Sequence, residues 1–146
     1  MGQSSIFLPL LANMLIVLVL YYLLGLRKKR ACREGTVDDS RRALHADAWP
    51  DYVMQVNNCI RNQFELPVLF YLLGVILWAL NAVNLWVLVA AWAFVLLRVC
   101  HAYVHVTSNF LPLRRRLFSF ATLVLAGIWV MALGRWFMAW LALRAF

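Results

Sequence analysis

The sequence predicts an all-α integral membrane protein built as a bundle of four transmembrane helices. Hydrophobic residues make up 65% of its 146 residues, charged residues make up only 14%, and the mean hydropathy is +0.78. Ordinary soluble domains contain roughly 45–50% apolar and about 25% charged residues. The composition and the long apolar runs therefore exclude a soluble globule, a disordered tail and a disulfide scaffold.

The four spans follow from the apolar runs and from the residues that end them. The first predicted helix covers about 6–26 and is followed by the basic cluster 27–30, an order typical of an uncleaved helix rather than a signal peptide. The second covers about 53–80 and contains Pro67, which kinks a helix unless neighbours compensate. The third covers about 85–106 and the fourth about 117–143, and together they make one domain over 1–146.

The basic residues predict the orientation of the bundle. The connection after the first helix, together with Arg61, holds eight of the fourteen Lys and Arg, and residues 114–116 hold three more. The positive-inside rule places these connections in the cytoplasm and both termini outside, and a bacterial inner membrane is the expected location. The net charge of +8 is assigned to topology and membrane lipid, and no nucleic-acid partner is expected.

Two helical faces carry polar groups at membrane depth, where such groups are costly and are retained for structure or function. They follow helical spacing in the second and third helices and comprise Asn58, Arg61, Asn62 and Glu65, and Arg98, His101 and His105. Antiparallel neighbours would bring both faces to the same depth. The pattern fits either a structural ion pair of Glu65 with Arg61 or Arg98, or a polar pocket that opens to the cytoplasm.

No metal site is expected, although two histidines and a glutamate have a spacing that could bind one. His101 and His105 are four residues apart and could share an ion with Glu65, but Arg61 and Arg98 would place positive charge beside that cation. A zwitterionic, net-anionic ligand suits these charges better, because arginine binds carboxylates bidentately and a glutamate accepts from an ammonium. If the ligand carries a thiol, nearby guanidinium groups stabilise its thiolate.

The motifs together resemble the MAPEG family, membrane-associated proteins in eicosanoid and glutathione metabolism, and especially its uncharacterised bacterial members. The resemblance covers nearly the whole chain and depends on Arg61-Asn62-x-x-Glu65-x-Pro67, Arg98-x-x-His101, and Pro112-x-Arg114. It implies a homotrimer of four-helix subunits with glutathione bound between neighbouring subunits near the cytoplasmic face.

The resemblance also implies the site residues, by matching position. Glutathione would be bound by Arg27, Arg61, Asn62, Glu65, Arg98, His101 and His105, and Arg114 or Arg115 would activate the thiol. Two positions depart from better-known members. His105 stands where some have a tyrosine, and Arg115 stands where they have a serine or an arginine that activates the thiol.

The expected function is a glutathione-dependent transferase or peroxidase that acts on hydrophobic electrophiles or lipid hydroperoxides. The alternative is a non-enzymatic membrane protein that binds lipid or partners, with the polar cluster serving helix and subunit packing. Stabilisation by glutathione distinguishes the two hypotheses. A transporter or channel receives little support from so few charges within the membrane.

Overall fold

The computed structural model describes residues 2–144, in which every regular element is helical. The α-helices are α1 Phe7–Arg33, α2 Asp51–Gln63, α3 Leu66–Ala79, α4 Leu85–Val106 and α5 Leu111–Arg144, and short 3₁₀ turns occupy Gln3–Ile6 and Ala46–Ala48. Four segments are long and apolar enough to cross a membrane, namely α1, α2 together with α3, α4, and α5. The predicted fold class of a multi-pass, all-helical membrane protein is thereby confirmed.

The second span is interrupted between α2 and α3. Phe64 and Glu65 leave the helical conformation, and Pro67 stands in the first turn of α3. A proline inside a helix removes one backbone hydrogen bond and clashes with the carbonyl four residues earlier, which here belongs to Gln63 at the end of α2. The sequence predicted one helix over 53–80 with a kink, and the structure has two helices separated at Glu65.

The last helix begins at Leu111, before the predicted start near residue 117. Asn109 has a φ of 50°, a left-handed conformation that asparagine tolerates, and its N–H donates to the Val104 carbonyl at 2.8 Å. Pro112 follows in the first turn of α5, where its missing N–H leaves no helix bond unmade. Residues 114–116, which precede the predicted fourth helix, therefore lie on the first turns of α5.

The interior has two apolar layers separated by buried polar side chains. One layer includes Phe70, Phe94 and Ile128, and the other includes Leu24, Val56, Ile60 and Val106. Asn13, Gln63 and Arg98 are buried between the layers, and Asn13 Nδ2 donates to the Tyr71 hydroxyl at 2.7 Å. The polar groups of the site therefore start at the level where the two apolar layers meet.

The connection between α1 and α2, at the basic end of the bundle, contains two ion pairs between its own residues. Arg41 pairs with Asp47 at 2.8 Å, and Arg42 pairs with Asp39 at 3.1 Å. The hydrogen bond from Arg41 holds the pKa of the Asp47 carboxyl below its usual range. Such exposed pairs contribute little singly, so the order of this segment depends on several contacts together.

The longest helix, α5, extends beyond the packed bundle. Its 34 residues make it about 51 Å long. Its buried residues end at Ala132, and beyond them the Arg144 guanidinium lies 4.1 Å from the centroid of the Trp140 ring. The last turns of α5 therefore present tryptophan and arginine at the end of the bundle opposite the basic connections.

Gly74 allows α1 and α3 to pack closely. A Cβ atom at Gly74 would lie 2.8 Å from both Cδ atoms of the buried Leu10. We expect Gly74→Val to lower the free energy of unfolding by about 1–3 kcal/mol through overpacking, measured by thermal unfolding in detergent. Gly127→Val is the matched control, because nothing lies within 4 Å of a Cβ at Gly127. Equal losses in both variants would contradict this account of the packing.

Candidate functional site

A polar cavity with a volume of about 510 Å³ opens at the basic end of the bundle, among α2, α4 and α5. This volume lies within the range of small-molecule sites. The structure brings many of the predicted site residues into its lining, which comprises Asp51, Met54, Gln55, Asn58, Arg61, Asn62, Glu65, His105, Asn109 and Arg114.

A smaller compartment of about 270 Å³ adjoins the polar cavity. The two share Asn62, His105 and Arg114, and the side compartment adds His101, Arg115, Phe118 and Ser119. Arg115 lines only this compartment. The helical start of α5 explains the difference, because consecutive side chains on a helix point about 100° apart, so Arg114 and Arg115 cannot share one direction.

Asn62 links the two polar faces that the sequence predicted. Its Nδ2 donates to Glu65 Oε2 at 2.9 Å, and its Oδ1 accepts from Arg98 Nη2 at 2.8 Å. The same Arg98 nitrogen donates to the Asn62 carbonyl at 3.1 Å. The ion pair of Glu65 with Arg61 or Arg98, one of the two alternatives, does not form among residues 2–144. The Asn62 amide lies between the Glu65 carboxylate and the Arg98 guanidinium and forms a hydrogen bond with each.

Arg98 lies beneath the polar cavity rather than in its lining. Its side chain is fully buried, with 0% exposure, and within residues 2–144 its Nε and Nη1 atoms have no hydrogen-bond partner. An unpartnered buried polar atom costs about 1–3 kcal/mol. Through its hydrogen bonds the guanidinium holds Asn62 in position, and it adds positive charge beside the site.

The two histidines on α4 are buried beside the same compartments. Their ring centroids are 5.7 Å apart, and in the described part of the chain neither Nδ1 atom has a hydrogen-bond partner. His105 lines both compartments, whereas His101 lines only the smaller one and packs near Phe118. Across residues 2–144, no group of three His, Cys, Asp or Glu side chains converges as a metal-binding set.

Arg114 is oriented by the turn that precedes its helix. Its Nη1 donates to Asn109 Oδ1 at 2.5 Å, so the left-handed turn residue also positions the guanidinium. Cations near the N-terminus of a helix oppose the helix dipole. The N-terminus of a helix carries a partial positive charge that favours an anion. The arginines at this end of α5 add to that positive potential.

Arg27 does not line either compartment in this chain. Its guanidinium donates to the backbone carbonyls of Tyr52 and Val106, the latter at 2.6 Å. These bonds join the basic end of α1 to the start of α2 and to the end of α4. The role of Arg27 in glutathione binding, which the resemblance implies, stays a prediction.

The sequence reasoning did not identify four residues of the cavity lining, namely Asp51, Met54, Gln55 and Asn109. A signal for two of them was present, because Asp51 and Gln55 continue the helical spacing of Asn58 and Asn62 to the start of α2. Asn109 had no comparable signal. Its contribution depends on a left-handed turn, which asparagine tolerates but does not by itself specify.

Comparison with known proteins supports the resemblance. The MAPEG family model matches residues 6–134, which contain every predicted site residue. No curated protein and no solved structure gives a significant match.

Proposed function

Because the chain belongs to the MAPEG family, we propose that the polar cavity binds glutathione for a transferase or peroxidase reaction. The substrates are hydrophobic electrophiles or lipid hydroperoxides that reach the site from the bilayer. The observation that supports this function best is the presence of Arg61, Glu65 and Arg114 in the lining of one cavity. Glutathione carries two carboxylates, one ammonium and one thiol, and these three side chains offer partners for the two carboxylates and the ammonium.

Each polar group has a role in binding. Arg61 and Arg114 bind the two carboxylates, since a guanidinium presents a fork of donors that matches a carboxylate. Glu65 accepts from the ammonium, and the Asn62 amide holds the Glu65 carboxylate through its hydrogen bond. His105 lines the same cavity, and the buried Arg98 holds the Asn62 amide in place through its hydrogen bonds.

The thiol is activated by charge. Arg115, together with Arg114 and the positive end of α5, stabilises the thiolate. In transfer, the thiolate sulfur bonds to an electrophilic carbon, and the leaving group departs with the electron pair of the bond that breaks. In hydroperoxide reduction, the sulfur takes the terminal oxygen, the lipid alcohol leaves, and a second glutathione displaces water to form the disulfide.

The proposal includes the assembly and the location. The protein is a homotrimer in a bacterial inner membrane, with its basic connections in the cytoplasm and its termini outside. The exposed apolar side chains of the four spans, such as Leu15, Leu72 and Trp129, are covered by membrane lipid or by a neighbouring subunit. Apolar substrates then reach the thiol without leaving the bilayer.

Glutathione is expected to stabilise the purified protein. A ligand that binds only the folded state, at a hundredfold excess over its dissociation constant, raises the free energy of unfolding by about 2.7 kcal/mol. We expect this shift in thermal unfolding for glutathione, and a much smaller one for its diethyl ester, which lacks both carboxylates. Glu65→Gln, which removes the partner of the ammonium, should reduce the shift. The same small shift for glutathione and for its ester would contradict the proposal.

A second candidate is a non-enzymatic membrane protein that binds lipid or partners. The buried contact between Arg98 and Asn62 favours it, because this contact joins α4 to α2 and serves helix packing without any ligand. This candidate predicts that Glu65→Gln lowers thermal stability while glutathione causes no shift. The same experiment therefore distinguishes the two functions.

A further inference from the structure

A separate cavity of about 210 Å³ lies between the connection that follows α1 and the first turns of α2. We call it the loop cavity. Its polar lining groups are Lys28, Arg42, His45 and Asn57, and its apolar rim includes Leu44 and Trp49. It is a different space from the polar cavity, and Met54 of α2 is the one residue that lines both.

The loop cavity differs from the polar cavity in its charge. It contains a lysine and an arginine but no carboxylate, whereas the polar cavity contains Asp51 and Glu65. A zwitterion such as glutathione would find no partner for its ammonium here. The lining therefore favours an anion that carries no positive group, and a phosphate is the strongest acceptor of this kind for lysine and arginine.

The two cations are held in place by their neighbours. The Lys28 ammonium lies 4.8 Å from the centroid of the Trp49 ring, a cation–π contact. Arg42 forms an ion pair with Asp39, with 3.1 Å between Nε and Oδ1, and its Nη1 donates to Cys32 Sγ at 3.6 Å. A phosphate that enters the cavity would meet charges that are already oriented, so less side-chain entropy is lost on binding.

The apolar rim indicates that the anion is part of an amphiphile. Leu44 is 90% exposed, although it stands in a polar segment. Trp49 is a typical residue of the membrane interface, and Lys28 belongs to the basic cluster that follows the first span. The loop cavity therefore lies at the level of the lipid headgroups, with apolar side chains beside its basic centre.

We propose that the loop cavity binds the phosphate of an anionic phospholipid, with Lys28 and Arg42 on the phosphate and the lipid chains beside Leu44 and Trp49. This site is independent of the proposed catalytic function. Met54 and the first turns of α2 separate the two cavities. A lipid bound in the loop cavity therefore also stabilises the position of α2, the helix that carries Arg61 and Asn62. Basic pockets at the cytoplasmic ends of membrane helices commonly hold such headgroups.

The proposal is tested by measuring lipid binding to the full-length protein in detergent micelles. Phosphatidylglycerol, phosphatidylcholine and inorganic phosphate are added separately, and bound lipid is counted by native mass spectrometry while thermal unfolding is followed. We expect phosphatidylglycerol to bind and to raise the unfolding midpoint, and the other two to have little effect. Protection by inorganic phosphate equal to that by phosphatidylglycerol would show a site for a soluble phosphate compound and would overturn the lipid proposal.

Matched variants separate this site from general surface charge. Lys28→Gln with Arg42→Gln should weaken phosphatidylglycerol binding about tenfold or more, because two charge-assisted contacts are lost. The control is Lys29→Gln with Arg41→Gln, which removes the same charge at neighbouring positions that do not line the cavity. Equal weakening by both pairs would overturn the proposal.

A further variant covers the case in which the first pair does not fold. Ala43→Glu places a carboxylate at an exposed position of the cavity lining and should repel the headgroup without removing any existing ion pair. Undiminished phosphatidylglycerol binding by a folded Ala43→Glu variant would count equally against the proposal.

Discussion

Replacing both Arg114 and Arg115 by alanine is expected to reduce the rate of glutathione conjugation by about 10²–10³-fold. Removing one preorganised group that stabilises a developing or localised anion commonly has an effect of this size. The double variant also loses the contact that Asn109 makes with Arg114 in the turn before α5. The measurement is the initial rate of the purified protein with a chlorodinitrobenzene-type electrophile and, separately, with a lipid hydroperoxide.

The control for this prediction is Arg116→Ala. Arg116 belongs to the same run of arginines, but it lines neither the polar cavity nor the side compartment. Its replacement changes the charge at the start of α5 without touching the site, so the rate should fall only slightly. Rates that are the same for the wild type, the double variant and Arg116→Ala would show that the arginines take no part in the chemistry.

Arg98→Ala is expected to lower the free energy of unfolding by about 3–5 kcal/mol. The substitution empties a fully buried space at the centre of the bundle, and it leaves the partly buried Asn62 oxygens without their donor. The loss is measured as the unfolding midpoint and the folded fraction in detergent, with glutathione absent so that ligand binding does not contribute.

Two further variants test the cause of that loss. Arg98→Met fills most of the space with an apolar chain and should be clearly more stable than Arg98→Ala, because apolar groups of similar volume often replace buried charges at small cost. Arg135→Ala, at an exposed position on α5, should change stability by no more than about 0.5 kcal/mol. A loss for Arg98→Ala no larger than that for Arg135→Ala would mean that Arg98 is not a packing element.

The sequence alone predicted the fold class and the number of spans, because hydropathy over some twenty residues is a strong signal. It also predicted the grouping of Arg61, Asn62 and Glu65, since helical spacing relates positions within one helix. The exact ends of the helices were harder to predict from the sequence. The early start of α5 depends on a left-handed turn at Asn109, and the interruption at Glu65 depends on how neighbouring helices accommodate Pro67.

Contacts between helices were the least predictable part of the site. The hydropathy pattern placed Glu65, Arg61 and Arg98 at one depth, and opposite charges at one depth suggest an ion pair. The structure instead places the Asn62 amide between Glu65 and Arg98. The position of Asn62 between these two side chains depends on how α2 and α4 are rotated about their axes and on the interruption after α2. Residue spacing within one helix predicts neither. Arg27 likewise binds two carbonyls that only the folded chain brings near it.

The length of α5 sets how deeply the protein sits in its bilayer. From Arg116 to Arg135 the helix rises about 28 Å, close to the thickness of the hydrocarbon core. We therefore expect these two arginines to reach opposite layers of phosphate groups, and a thicker or thinner membrane would force the helix to tilt or the lipid to deform. We expect the proposed thiol-activating residues Arg114 and Arg115, which directly precede Arg116, to lie at the water boundary, where a hydrophilic peptide and an apolar reactant can both arrive.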